Sequence, residues 1–150
     1  MRTILIGCDD QYYEQWAVTL IKSLKHFVPW INIHCHIVNP TTYTPMDNVT
    51  YSMEQGNAST GYLQAVRFLK ATDYCGDNLM VIDADTICTR SFTEQEFDDI
   101  CEGITVLRHP KAPRWLCGLI ASDNVDFWQT YASCLETDTW VIGRDQDVLN

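Results

Sequence analysis

The sequence lacks the features of several classes of protein. No apolar run approaches the roughly 18 residues that a membrane helix needs, so we expect no membrane span. The apolar stretch after Met1 stops at Cys8 and Asp9, which makes it too short for a signal peptide. Basic residues are scarce, since ten Lys and Arg stand against twenty Asp and Glu, for a net charge of −10. This charge argues against nucleic acid or an anionic membrane as a general partner.

The cysteines lack a pattern that would indicate disulfides or a zinc site. There are seven, an odd number, with no C-x-x-C pair, and several lie inside apolar runs. We therefore expect buried free thiols in a reducing compartment, which favours a cytoplasmic protein. With 150 residues, of which 46% are hydrophobic, the chain is long enough for a single domain over 1–150 with its own core.

Short apolar strands alternate with amphipathic helices along the chain. A strand over 3–8, a helix and a strand over 31–38 predict a βαβ unit with a right-handed crossover. The alternation continues to the C-terminus and predicts an α/β sandwich with a mainly parallel sheet. His34 and His36 lie on one face of the second strand. A solvated or sheet-covered polar face explains this spacing better than a metal site does.

The most informative stretch is the apolar run 79–82 (LMVI), which leads directly into Asp83 and Asp85. It predicts a buried central strand, and side chains two residues apart lie on the same face of a strand. Both carboxylates should then meet at the carboxyl end of the sheet, where open α/β sheets bind ligands. Two anions this close favour a divalent cation between them, and the plain alternative is a polar turn in which both side chains are solvated.

Other groups could reach the same sheet edge. Two further carboxylate pairs lie near the ends of predicted elements, and against them stand a helical arginine and a basic loop over 108–114. A metal between carboxylates, together with a few cations, suits a diphosphate, and a tyrosine after the first strand could stack on a nucleobase. The carboxylates are Asp9, Asp10, Asp145 and Asp147, the arginine is Arg67, and the tyrosine is Tyr12 or Tyr13.

Five motifs occur in an order that is known from one family of enzymes. They cover residues 8–12 (CDDQY), 62–69 with Arg67, 81–85 (VIDAD), 115–120 (WLCGLI) and 145–150 (DQDVLN). With these motifs the chain resembles the metal-dependent GT-A glycosyltransferases, most closely family 8, the galactosyltransferase and glycogenin type. The D-x-D pattern alone is a weak signal, but five motifs in family order over nearly the whole chain form a strong one.

The resemblance implies a three-layer αβα sandwich of the GT-A type with a Rossmann-like nucleotide-binding half. It implies transfer of a sugar, with retention, from a nucleoside-diphosphate sugar, expected to be a UDP-sugar, to a saccharide or other glycan acceptor. Asp83 and Asp85 would hold Mn²⁺ or Mg²⁺, Asp145 would bind donor-sugar hydroxyls, and Gln146 would lie under the anomeric carbon. The nucleotide- and donor-binding residues would be Asp9, Gln11, Tyr12, Arg67, Asp83, Ala84, Cys117 and Gly118.

Two departures from the family pattern leave alternatives open. Leu116 stands where the family has a donor-binding Asn, and the late His motif that completes the family's metal site does not follow Asn150. A minimal enzyme, a catalytically weak or inactive relic that binds nucleotide sugars, and a protein completed by homo-oligomerisation all fit the sequence. His109 is a candidate substitute ligand, and Trp115 and Trp140 are candidate platforms for an acceptor sugar.

A different class of enzyme shares one of these motifs. Asp83, Asp85 and Thr86 after an apolar strand also resemble the haloacid-dehalogenase-like phosphatase motif, in which the first Asp is the nucleophile and the second the general acid. That motif usually opens its fold and needs a later Lys. Here a βαβ unit precedes it, and Lys111 is the only Lys that follows, so this alternative is the least favoured.

Overall fold

The computed structural model describes residues 1–112, 114–136 and 141–150. The strands of these described residues are β1 Arg2–Asp9, β2 Asn32–Val38, β3 Thr50–Glu54, β4 Asn78–Ile82, β5 Ile104–Arg108 and β6 Trp115–Ser122. They form one sheet in the order β3-β2-β1-β4-β6-β5. The first four strands run parallel, and β6 runs antiparallel to both of its neighbours. This arrangement confirms the predicted α/β class with a mainly parallel mixed sheet.

The helices connect these strands. A π-helical turn, Tyr13–Ala17, divides the single helix predicted after β1 into two α-helical parts. The α-helices are α1 Asp10–Tyr12, α2 Val18–Phe27, α3 Thr60–Ala71, α4 Glu94–Cys101, α5 Val125–Leu135 and α6 Arg144–Leu149. Over the ranges that the structure describes, none of them combines the length and the apolarity needed to cross a membrane.

Strand β1 lies in the middle of the sheet and is buried along its whole length except at the two end residues. Because side chains alternate along a strand, Ile4 and Leu5 face opposite helical layers. Ile4 belongs to the cluster that contains Leu20 of α2, and Leu5 belongs to the cluster that contains Phe68 of α3 and Trp128 of α5. The sheet is thus covered on both faces, which explains why its central strands are almost continuously apolar.

Side-chain caps fix the start of α3, α4 and α5, as Asp9 does for the short α1. Each cap accepts a hydrogen bond from a backbone N–H of the first helical turn, which would otherwise have no partner. The caps are Ser59 for α3, Thr93 for α4, where Glu96 completes a capping box, and Asn124 for α5.

His34 and His36 lie under the helices and not in solvent. They are 4% and 1% exposed, so of the two predicted alternatives the sheet-covered face is correct and the solvated face is wrong. The imidazole of His34 binds the hydroxyls of Thr50 and Ser52, each at 2.8 Å, and His36 Nδ1 binds the Ser52 hydroxyl at 2.7 Å. Burial, reinforced by the neighbouring His36, lowers the pKa of His34 to about 4. These histidines therefore serve as neutral hydrogen-bonding groups of the β2–β3 pair.

The seven cysteines are free, and four of them are buried, as the sequence predicts. Burial raises the pKa of both Cys101 and Cys117 to about 12. A thiol with so high a pKa stays protonated and unreactive at neutral pH. The buried cysteines therefore act as small apolar side chains of the core.

Candidate functional site

A cavity of about 710 Å³ opens at the edge of the sheet where β1 and β4 end. Its wall combines residues from β1, α3, the segment after β4, β6 and α6, which are far apart in sequence. The predicted site residues that line it are Asp9, Tyr12, Arg67, Asp83, Ala84, Asp85, Cys117, Gly118, Asp145 and Gln146. The fold therefore gathers at one edge most of the residues that the sequence motifs selected.

Arg67 of α3 joins two carboxylates in this cavity. One guanidinium nitrogen lies 2.7 Å from Asp83 Oδ1 and 3.4 Å from Asp145 Oδ2, and it also donates to the carbonyl of Cys117 at 3.4 Å. Arg67 is 7% exposed and Asp145 is 6% exposed, so water screens this contact weakly. The guanidinium also stands 4.6 Å above the ring of Phe68. The arginine is thus a buried cation that holds β4, β6 and α6 together.

The pKa values of both carboxylates are raised in spite of the arginine. Burial raises the pKa of Asp83, the nearby charges of Asp85 and Asp145 raise it further, and Arg67 opposes the shift. Burial likewise raises the pKa of Asp145, again against the effect of Arg67. Three carboxylates around one arginine leave an excess of negative charge, which favours the binding of an additional cation.

A glycine in β1 allows Arg67 to take its position. A Cβ atom at Gly7 would lie 2.7 Å from Cβ and 3.0 Å from Cα of Arg67, closer than any real side chain allows. The absence of a side chain lets α3 lie directly on the strand, and a glycine inside a strand often marks such an approach of another segment. The depth at which Arg67 sits in the cavity therefore depends on Gly7.

Strand β6 is irregular where it passes the end of β4. Its register with β5 shifts between Val106 and Leu107, and irregularities of this kind are common beside active sites. The carbonyl of Gly118 accepts a hydrogen bond from the N–H of Asp83 at 3.0 Å. A Cβ atom at position 118 would lie 3.0 Å from Asp83 Oδ2. Glycine thus leaves room beside the oxygen of Asp83 that does not bind Arg67.

Asp85 lies at the exposed mouth of the cavity, where Tyr12 contacts it. The phenol of Tyr12 donates to Asp85 Oδ2 at 2.9 Å, and the backbone N–H of Tyr12 donates to the carboxylate of Asp9 at 2.7 Å. Partial burial and the hydrogen bond to Asp85 raise the pKa of Tyr12, so this phenol stays a donor. The ring is 40% exposed and forms part of the cavity wall.

The carboxylate oxygens left over at Asp83 and Asp85 suit a hard divalent cation. Mn²⁺ and Mg²⁺ take oxygen ligands, and Mg²⁺ in particular keeps water and substrate phosphate oxygens beside one or two protein carboxylates. In the part of the chain that the structure describes, no group of three or more His, Cys, Asp or Glu residues could hold a metal ion. A cation at this place would therefore depend on its ligand for the rest of its coordination shell.

Helix α6 is tied to the start of β6. The hydroxyl of Tyr131 donates to the carbonyl of Asp145 at 2.8 Å, and the side-chain amide of Gln146 donates to the carbonyl of Trp115. The N–H of Trp115 donates in turn to the side-chain oxygen of Asn150 at 2.8 Å. With its nitrogen engaged, the Gln146 amide keeps its oxygen as an acceptor beside the cavity. Both predicted catalytic residues, Asp145 and Gln146, thus stand on a fixed segment.

Some predicted site residues lie elsewhere. Gln11 is exposed on α1 and does not line the cavity. Asp10 accepts hydrogen bonds from the hydroxyl of Thr41 and the N–H of Thr42 and so serves the loop after β2, because it follows the strand by one residue and faces away. Asp147 is exposed outside the cavity wall, and Trp140 lies outside the described residues.

Sequence reasoning missed several residues of the cavity wall. Gly7 could have been found, since a lone glycine in a buried strand signals close contact with a neighbouring segment. Leu107 could not, because its place follows from the pairing of β5 with β6. Leu116 lines the cavity too, at the position where the family resemblance puts a donor-binding Asn. The other missed residues are Thr60, Leu63, Gln64 and Gly143, which lie at the start of α3 and before α6.

Comparison with known proteins finds a similarity in structure only. No protein-family model and no curated protein matches the chain. Two crystal structures of the glycosyltransferase GlyE from Streptococcus pneumoniae TIGR4 do match. The apo form aligns with a TM-score of 0.67 at 15% identity, and the second structure with 0.68 at 17% identity. This chain therefore shares the fold of the two GlyE structures over the aligned part. Both alignments cover 99% of this chain and 42% of the GlyE chain, so this chain spans less than half of GlyE's length.

Proposed function

We propose that this chain binds a nucleoside-diphosphate sugar, most simply a UDP-sugar, through a divalent cation, and transfers the sugar to a glycan acceptor. The observation that carries the proposal is the convergence of Arg67, Asp83, Asp85 and Asp145 on one cavity at the carboxyl edge of a GlyE-like fold. A surplus of carboxylates beside one buried arginine suits a metal–diphosphate complex better than a neutral ligand. The family 8 and GT-A assignment belongs to the same proposal.

In this proposal Asp83 and Asp85 hold Mn²⁺ or Mg²⁺, which would neutralise charge on the diphosphate as it leaves. Arg67 fixes Asp83 and Asp145 and presents a buried positive charge to the donor. Asp145 accepts hydrogen bonds from sugar hydroxyls. Gln146 offers its amide oxygen to the anomeric centre, because its nitrogen is already bound to the carbonyl of Trp115.

The nucleoside end of the donor is assigned to the segment after β1. Asp9 and Tyr12 line the cavity there, together with Gly7 and Cys8. An exposed aromatic ring at the end of the first strand offers a stacking surface for a base. In order to stack, Tyr12 would give up its hydrogen bond to Asp85, which frees that carboxylate for the cation. Ala84, Cys117 and Gly118 complete the donor wall.

A second candidate is a domain that binds a nucleotide sugar without turnover. It is favoured because the described residues contain no group of three or more His, Cys, Asp or Glu residues that could hold the cation. The phosphatase alternative is weaker, because its nucleophile Asp83 is ion-paired to Arg67 at 2.7 Å and its only Lys stands on the β5–β6 loop.

Calorimetric titration of UDP in the presence of Mn²⁺ tests the binding step. We expect binding that disappears with EDTA and weakens at least tenfold in Asp85→Asn. The control is Asp126→Asn at an exposed position in the first turn of α5, which removes the same charge outside the cavity and should leave the affinity unchanged. UDP binding that depends on neither Mn²⁺ nor the Asp85 carboxylate would contradict the proposal. Release of UDP from UDP-sugars then separates the enzyme from the domain that only binds.

A further inference from the structure

The β5–β6 loop stands out by its charge. Residues 108–112 and 114 contain Arg108, Lys111 and Arg114, and the whole stretch 108–114 carries three of the chain's ten Lys and Arg and none of its twenty Asp and Glu. Across the described ranges, none of the three cations lies within 4 Å of a carboxylate. In a chain of net charge −10, a cluster of cations without carboxylate partners indicates a surface that binds an anion from outside the chain.

The place of the loop relates it to the cavity. Strand β5 runs in the same direction as β4, since both are antiparallel to β6, so the loop leaves the sheet at the edge where Asp83 lies. Leu107 and Leu116 pair with each other and both belong to the cavity wall. Arg108 follows Leu107 directly, and the loop residues 108–112 line a second hollow of about 530 Å³. The basic hollow therefore adjoins the donor cavity, with two leucines between them.

The loop also offers shaped hydrogen-bond donors. The backbone N–H of Lys111 donates to His109 Nδ1 at 3.1 Å, so the neutral imidazole carries its hydrogen on Nε2. The N–H of His109 donates to the carbonyl of Arg114 at 2.9 Å, which closes the loop. Beside it Trp115 pairs with Arg108 and is 43% exposed, while its backbone is held by Gln146 and Asn150. An exposed aromatic ring on a fixed backbone, next to cations without a carboxylate partner, suits a sugar that carries negative charge.

We propose that residues 108–112 and 114 of the β5–β6 loop form the acceptor subsite together with Trp115, and that the acceptor is an anionic saccharide with carboxylate or phosphate groups. This inference rests on the proposed glycosyl transfer and adds the class of acceptor. The leucines separate the loop cations from Asp83 and Asp85, so the donor diphosphate would be met by Arg67 and the metal and not by the loop.

The test measures saccharide binding without any donor. The probes are a hyaluronan hexasaccharide, which carries carboxylates, a phosphorylated mannose pentasaccharide, and neutral cellohexaose. We expect at least one anionic probe to bind tenfold or more tightly than cellohexaose, and its affinity to fall between 0.05 and 0.5 M NaCl as the charges are screened. The carboxylate and phosphate probes tell the two kinds of anion apart. Equal affinity for charged and neutral probes, or affinity that does not respond to salt, overturns the proposal.

Two charge-matched variants locate the subsite. Lys111→Gln/Arg114→Gln should weaken the anionic probe at least tenfold. The control Lys22→Gln/Arg90→Gln removes two exposed cations outside the loop and should change the affinity for this probe less than twofold. UDP binding with Mn²⁺, measured on the same samples, should be equal in both variants and the wild type. The assignment is refuted if both variants lose the same affinity for the anionic probe. It is also refuted if the loop variant alone loses UDP binding. UDP that fails to bind even the wild type refutes the donor site instead.

Discussion

Replacement of Arg67 by Met probes the electrostatics of the site most sharply. The substitution keeps an apolar stem of similar length against Phe68 and removes the cation between Asp83 and Asp145. Removal of one partner of a buried ion pair typically costs 3–5 kcal/mol, because the other charge stays buried without compensation. Asp83 keeps 34% of its side chain exposed, so we expect the lower end, about 3 kcal/mol at pH 7.5.

The loss should depend on pH with a definite sign. The pKa values of Asp83 and Asp145 are raised by burial already, and without Arg67 they rise further. A carboxylate whose folded pKa exceeds its unfolded value destabilises the fold as pH rises through that window. The difference in free energy of unfolding between variant and wild type should therefore be smaller at pH 5 than at pH 7.5.

Urea unfolding in EDTA, followed by tryptophan fluorescence at both pH values, gives the measurement. Arg67→Met/Asp145→Asn serves as the matched variant, since it removes one of the stranded carboxylates and should recover part of the loss. A cost below about 1 kcal/mol, in the range of an exposed ion pair, would refute the reasoning. So would a cost that is the same at pH 5 and pH 7.5.

Three further predictions concern the parts that support the site. Gly7→Ala should lower the free energy of unfolding by about 1–3 kcal/mol and weaken UDP binding, because the new Cβ displaces α3. The control Gly56→Ala should change neither, because a Cβ at position 56 has no neighbour within 4 Å. When the pH falls from 7.5 to 5, the free energy of unfolding of the wild type should drop by about 2 kcal/mol through His34 alone. The reason is that the imidazole has a pKa of about 6.5 in the unfolded chain but a pKa of about 4 in the folded one, so that the proton favours the unfolded state. His34→Gln should flatten that pH dependence, and an unchanged slope would contradict the assignment. Thr93→Ala should remove the capping box and cost about 1 kcal/mol, with no effect on UDP binding in the same titration.

The sequence predicted the class of fold well because its signals are local. The apolar runs of β1 and β4 and the caps of α3 and α4 depend on neighbours within a few residues. The acidic pair predicted a site edge, because open α/β sheets bind ligands at the carboxyl ends of their strands. The expected reason for the pairing is wrong, since β4 ends at Ile82 and Asp83 and Asp85 stand on the segment and turn that follow, not on one face of the strand.

The rest depends on contacts between segments that are distant in the chain. Whether His34 faces water or a helix is decided by the packing of α3, which alternation along one strand cannot show. Asp10 and Asp9 are neighbours in sequence, yet only Asp9 lines the cavity, because the chain turns into α1 between them. Leu107 lines the cavity because the strand order β4-β6-β5 brings β5 to that side of the sheet.

We propose that Asp83 and Asp85 bind the divalent cation that carries the nucleotide sugar. A crystal grown with UDP and Mn²⁺ and measured at the manganese absorption edge tests it most directly. The account predicts one anomalous peak within about 2.5 Å of a carboxylate oxygen of both residues, with the diphosphate of UDP on the same ion. A map without a peak there, in which Arg67 and Tyr12 still hold the two carboxylates as they do now, would contradict the account.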